Sequence, residues 1–203
     1  MRGISVLLSL SFATCAASAS FAASDKIDSN VYDAYTQKSY PKTFKAWGKK
    51  GVAKIDKYRA LAAEESIKNP RCDYVETAEL SDSRSSPPNN VVIFVDCRNG
   101  ERFYLSSDEL DVKSGSQSIR QKTAAIKDSD AILQCETAVT KMLKFPSSFD
   151  KSWFSSNVYR APQGNVVVTF DFSAKNGFGL DLPQQARCVF DDRGMHQPEI
   201  TNR

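Results

Sequence analysis

Arg71, Asp73, Asp96 and Arg98 are the residues whose types and spacing come nearest to a reactive constellation. They fall in two strand-like runs, 71–80 and 91–98, separated by a polar turn segment, 81–90. Folded as a hairpin with Cys72 opposite Cys97, the runs put Arg71 across from Arg98 and Asp73 across from Asp96 on one side of a sheet. Two carboxylates so placed could divide acid–base work while the arginines hold an anionic substrate, the layout of an envelope hydrolase. The same square also reads as surface ion pairs closing the end of a sheet, which contribute little stability. The second reading is favoured, because no third catalytic group stands beside the four. The single histidine, His196, lies in a polar tail, 191–203, and no G-x-S-x-G nucleophile turn occurs. No phosphate-binding or dinucleotide fingerprint is present, and one histidine without a C-x-x-C pair is too sparse for zinc. The chain is therefore expected to hold no metal or cofactor and to lack catalytic activity.

Two further groups suit binding. Asn176-Gly177-Phe178-Gly179 is a candidate interface, because its glycines permit backbone angles closed to other residues and hold Phe178 between them. The favoured expectation is a turn whose phenylalanine folds back onto the core; the alternative is an exposed aromatic anchor for a protein partner. Lys42, Lys45, Lys49, Lys50, Lys54 and Lys57 form a candidate patch for an anionic partner, in a stretch from Lys38 to Arg59 with eight basic residues against one acid, Asp56. Lipid, lipopolysaccharide, peptidoglycan or nucleic acid would meet the charge requirement. The lysines spread around the helix, however, and few aromatics lie outside its buried face. That favours a solvated surface and weighs against nucleic acid.

The compartment follows from the N-terminus and the cysteines. Met1-Arg2 precedes an apolar run, 4–12, and a small-residue stretch, 13–23, which is the layout of a secretory signal with cleavage after Ala22. The apolar run is shorter than the roughly 20 residues a membrane span takes, and no later stretch approaches that length. Cys15 resembles a lipoprotein acceptor only loosely, so lipid anchorage is the minor alternative to a free periplasmic or secreted protein. Loss of Cys15 with the signal leaves Cys72, Cys97, Cys135 and Cys188, an even set that reads as two disulfides in an exported chain. The hairpin favours Cys72 with Cys97. Cys135 with Cys188 would then tie a helix to the last strand. The formal charge of +3 on 203 residues selects no class of partner.

These residues need elements to position them. The sequence predicts α+β architecture: two small modules, each a helix followed by a three-stranded antiparallel sheet and each holding one disulfide. After the signal, 1–22, comes a polar, loosely docked arm, 23–38. The first module, 39–112, opens on a helix entered at Pro41, with Phe44, Trp47, Val52, Ile55, Tyr58 and Ala62 as its apolar stripe. Gly48 and Gly51 weaken that helix, and Asn69-Pro70 stops it. Strands follow at 72–80, 91–98 and 101–105. A type I′ hairpin is expected at Asn99-Gly100, and a capped turn at Ser106-x-x-Glu109. Residues 113–127 read as a linker. The second module, 128–203, has a helix over 129–144 with Asp128 as N-cap and with Ile132, Cys135, Val139 and Met142 facing inward. Its strands fall at 154–161, 165–173 and 186–191.

The second half resembles an uncharacterised family of small exported or prophage-borne bacterial modules. The matching features are Cys135 on a helix, Leu143-Lys144-Phe145-Pro146-Ser147-Ser148 followed by Phe149, Asn176-Gly177-Phe178-Gly179, and Cys188-Val189-Phe190, spanning 131–191. The resemblance implies a fold and export, and no chemistry. The expected function is an exported interaction protein that binds another protein in the bacterial envelope, such as an inhibitor, immunity or accessory factor.

Overall fold

The computed structural model describes residues 25–203, so the expected signal peptide and Cys15 lie outside the described residues. The chain is mixed helix and sheet, with two antiparallel sheets over separate hydrophobic cores.

The first core forms under α1 (Pro41–Ser66), which has Pro at its first turn. Val52, Ile55, Tyr58, Ala62 and Ala63 turn inward, at helical spacing. The helix is not continuous. Gly48 adopts φ 63 and ψ 173, outside helical space, and splits a short N-terminal segment from the buried length. The helix packs on β1 (Val75–Leu80), β2 (Val92–Cys97) and β3 (Arg102–Ser106), in the order β1-β2-β3. Alternation along β2 sends Ile93, Val95 and Cys97 into the core and leaves Val92, Phe94 and Asp96 half-buried.

Several expectations change in this half. The arm is docked: Ile27 bridges Val75 in parallel, and Val31 and Tyr35 are buried in the core. Arg59, counted among the basic surface residues, is only 3% exposed. It donates to the Ala78 and Asp33 carbonyls at 2.7 and 2.6 Å and pairs with Asp56 and Glu79. The Asn99-Gly100 turn is not type I′, because Gly100 alone has positive φ (81°). Cys97 and Glu101 close a three-residue loop, with the Gly100 N–H donating to the Cys97 carbonyl at 2.9 Å. The capping box at α2 (Ser107–Val112) forms as expected, Ser106 and Glu109 exchanging hydrogen bonds.

The segment read as a linker contains α3 (Ile119–Thr123), with a second capping box between Ser118 and Gln121. Ile119 and Thr123 are buried, and Thr123 Oγ1 donates to the Gly164 carbonyl at 2.6 Å. A Cβ at Gly164 would fall inside contact distance of the Arg120 backbone, so this close approach requires glycine.

The second core lies under α4 (Asp128–Met142), whose N-cap is Lys127, not Asp128, and makes no side-chain hydrogen bond. Ala131, Cys135 and Val139 are buried, Ile132 is partly buried, and Met142 is exposed. The sheet beneath has six strands where three were expected. Its spine is a long hairpin of β6 (Val166–Lys175) and β7 (Asp181–Asp191), paired without a break from Val166 opposite Phe190 to Lys175 opposite Asp181. β4 (Asp150–Lys151) and β5 (Asn157–Arg160) share the free edge of β6, and β8 (Gly194–Met195) and β9 (Glu199–Asn202) share that of β7. The expected polar tail therefore supplies two short strands. Val166, Val168, Phe170 and Phe172 face the helix, as their alternation predicts, and Ala174 continues the row.

The sulfurs pair Cys72 with Cys97 and Cys135 with Cys188, with Cα separations of 5.5 and 5.8 Å. The bridges span 25 and 53 residues, which on the chain-entropy model stabilise by about 3.5 and about 4 kcal/mol. Urea unfolding of the Cys72→Ala/Cys97→Ala and Cys135→Ala/Cys188→Ala variants should show losses in that order. Equal or reversed losses would contradict a mainly entropic origin.

Candidate interaction surfaces

The hairpin that spans the second sheet ends in a loop whose shape is set by one side chain. Asn176 Oδ1 accepts from the backbone N–H groups of Phe178 (2.8 Å) and Leu180 (3.1 Å). Its own N–H donates to the Leu180 carbonyl at 2.8 Å, and its carbonyl accepts from Gly179 at 3.0 Å. The loop is thus closed by four hydrogen bonds centred on one residue, which is the use Asn serves in turns. Phe178 does not fold back onto the core. It is 91% exposed, with Leu180 at 63%, so the favoured expectation for this turn is overturned. The physical reason is that the local hydrogen bonds leave Phe178 at the apex, beyond the end of the strand pairing.

Other exposed apolar groups gather in the same half. Among the described residues, every exposed large hydrophobic side chain except Tyr32 and Val112 lies after residue 128. Trp153 and Phe154, missed as surface residues because Phe154 was placed in a strand, are 84% and 104% exposed on the turn between β4 and β5. Ser152 and Ser155 hold that turn against Asp171: the Ser152 N–H donates to the Asp171 carbonyl at 2.9 Å and the Asp171 N–H to Ser155 Oγ at 2.8 Å. The flanking serines in Ser152-Trp153-Phe154-Ser155 were the available signal.

The lysine patch divides. Lys54 donates to the Asn89 carbonyl at 3.0 Å, and Lys54 and Lys57 lie 5.7 and 5.1 Å from the centre of the Tyr58 ring. Lys42, Lys45, Lys49 and Lys50 are exposed and make no ion pair among the described residues. Lys45 and Lys49 border a groove of about 610 Å³ with Phe44, Pro41 and Gln37.

The acid–arginine square is not formed. Pairing of β1 begins at Val75 opposite Cys97, an irregularity follows, and Thr77 stands opposite Asp96. Cys72 lies in the turn after α1, where its N–H donates to the Asn69 carbonyl, so the disulfide crosses from turn to strand and does not set the register. Asp73 accepts from the Tyr74 and Asn99 N–H groups, and Asp96 is bound by Arg102 at 2.5 Å. Arg71 goes to Glu101, and Arg98 to Glu76. The carboxylate pair on which a hydrolase was drawn is thus dispersed.

His196 is instead part of a polar junction between the sheets. Its Nε2 lies 2.8 Å from Asp191 Oδ2, an oxygen that also receives Arg84 at 2.9 Å and Arg193 at 3.4 Å. Arg84 further binds Asp192 at 2.8 Å and sits 3.4 Å over the Tyr104 ring centre. Nearby, the buried Glu101 takes Arg71 and Arg120, and Arg120 also donates to the Pro162 carbonyl. No family model matches the chain, and no curated protein or solved structure matches it.

Burial alone would raise the Asp192 carboxyl, but the Arg84 hydrogen bond and charge, with Lys122 adding to them, outweigh it and hold the group below its ordinary value. A carboxyl depressed in the folded state stabilises fully above its unfolded value of about 3.9 and loses that stability as pH falls through the folded one. Urea midpoints of wild type should therefore drop below about pH 4, and Arg84→Gln should flatten that limb. An acid limb unchanged by Arg84→Gln would contradict the assignment. At the hairpin tip, Asn176→Ala removes two acceptor bonds, each worth about 0.5–1.5 kcal/mol. The amides of Phe178 and Leu180 should then exchange about tenfold faster, with the strand amides unchanged.

Proposed function

We propose that this chain is an exported bacterial binding protein, periplasmic or secreted, that engages another protein through the tip of the β6–β7 hairpin and has no catalytic activity of its own. The observation that carries this is Phe178, almost fully exposed on a loop closed by the Asn176 hydrogen bonds. A large aromatic ring held in one place avoids much of the ordering cost of association, and such rings supply interface hot spots. Leu180 beside it, and Met142 and Phe145 at the end of α4, extend the apolar character of that half.

Export is supported by the two disulfides, which persist in oxidising compartments, and by the signal-like N-terminus. No helix among the described residues is long and apolar enough to cross a membrane. Lipid attachment at Cys15 is the tethered variant of the same reading. We also read the chain as two modules, 39–112 and 128–203, with 113–127 as the piece that joins them. The separate cores, with one bridge in each, support that division. We propose likewise that 131–191 is similar to small exported bacterial modules. An inhibitor, immunity or accessory role fits a protein that works by occupying a partner's surface.

Crosslinking in the periplasmic or secreted fraction tests it. Wild type should yield a discrete adduct that Phe178→Asp abolishes, while the combined Lys42, Lys45, Lys49 and Lys50 to Gln variant retains it. The Phe178→Asp protein should keep the wild-type unfolding midpoint within about 0.5 kcal/mol, since an exposed side chain away from the core contributes little. An adduct indifferent to Phe178 but lost with the lysines would transfer the function to the groove beside Phe44, and hence to an anionic partner.

A further inference from the structure

A cleft of about 380 Å³ opens between the two sheets, within the size range of small-molecule sites. It is lined by Arg84, Arg102, Tyr104, Asn165, Arg193 and His196. These come from five places in the chain, and several of them have hydrogen-bonding capacity left over.

Arg84 and Arg102 are each held by short charge-assisted bonds, the first to Asp191 and Asp192 and the second to both oxygens of Asp96. Arg193 is not. Its guanidinium is half exposed and makes one contact, at 3.4 Å, to an Asp191 oxygen already shared with Arg84 and His196. A guanidinium has five N–H donors, so most of its capacity is not taken up by the protein. Arg84, Arg102, Arg193 and Lys122 stand against Asp96, Asp191, Asp192 and, beside Lys122, Glu109, so these charges match, and Asp191 on the cleft wall weighs more heavily against a dianion than against a monoanion.

The cleft also offers acceptors. A carboxylate can only accept, so Nε2 of His196 carries the proton it gives Asp191, and Nδ1 is the ring nitrogen not engaged by Asp191. Asn165 Oδ1 is buried with no hydrogen-bond partner, a state that costs free energy until a donor reaches it. Asn165 lines the cleft, and its carboxamide must rotate for the oxygen to meet a ligand there.

We propose that this cleft binds a small molecule carrying one carboxylate next to a hydrogen-bond donor, an amino acid, a hydroxy acid or the end of a short peptide. Arg193 takes the carboxylate, and His196 Nδ1 and Asn165 Oδ1 take the donor. The site is separate from the hairpin tip and does not depend on the protein-binding reading.

The test is titration of the whole ¹⁵N-labelled protein with glycine, L-alanyl-L-alanine, acetate and inorganic phosphate, followed in correlation spectra. Glycine or the dipeptide should shift Asn165, Arg193 and His196 saturably, and acetate, which lacks the donor, should bind at least about tenfold more weakly. Arg193→Gln should raise the dissociation constant by at least about tenfold without moving the unfolding midpoint. Arg187→Gln, which breaks a pair with Glu199 on β9, and Phe178→Asp should both leave it unchanged. His196→Gln, which keeps a donor for Asp191, guards against a folding defect in the first variant and should weaken glycine more than acetate. No shift with any carboxylate at tens of millimolar, a preference for phosphate, or binding indifferent to Arg193 would overturn the proposal.

Discussion

The unbroken antiparallel pairing of β6 with β7 is the constraint on which the rest of the molecule depends. Its register places Val166, Val168, Phe170 and Phe172 on the face that α4 covers, with Ala186, Cys188 and Phe190 beside them. A slip of β7 by one residue would turn its apolar row to solvent and carry Cys188 away from Cys135. The disulfide therefore holds the register as well as the helix. Both edges of the sheet are built on this hairpin, and each end is put to use. The tip presents Phe178, and the base presents Asp191 and Asp192 to the other half of the chain.

The two sheets meet through charge, in contrast with the apolar interior of each. Arg84 and Asp191 are 9% and 6% exposed and Asp192 7%, so these groups are desolvated. Desolvation makes such contacts weak contributors to net stability, but removing one partner leaves a charge stranded, which costs about 3–5 kcal/mol. The contacts accordingly fix where the halves sit more than how firmly each is folded. The same arrangement shapes the cleft, since side chains saturated by one another line it beside others, such as Arg193, that are not. At Gly164 the backbone approaches that of Arg120 so closely that no Cβ is tolerated, which sets the spacing between the joining segment and the second half.

Much of the framework was legible from local chemistry. Cysteine number, helical stripes and alternation along β6 lead directly to two helix-on-sheet cores with sequential disulfides. What was not legible depended on partners distant in sequence. Ile27, Val31 and Tyr35 are too few and too scattered to announce a packed segment, and their burial requires the β1 edge to be present. Arg59 reads as one more surface cation until the Ala78 and Asp33 carbonyls close around it. The square of Asp73 and Asp96 does not form because Cys72 bridges to Cys97 from a turn, where the sequence predicts two directly opposed strand residues. β8 and β9 are too short to carry an alternation signal of their own. Phe178 was recognisable as special by its glycines, but only the Asn176 hydrogen bonds decide that it points outward.

An anchor is useful to a binding protein only if it is already in place, and that is a property of the free chain. Backbone ¹⁵N order parameters of the unbound protein across 174–182 measure it directly. A pre-organised tip predicts values for Gly177, Phe178 and Gly179 close to those of β6 and β7, about 0.85. Values below about 0.6, the range of a flexible loop, would contradict the account.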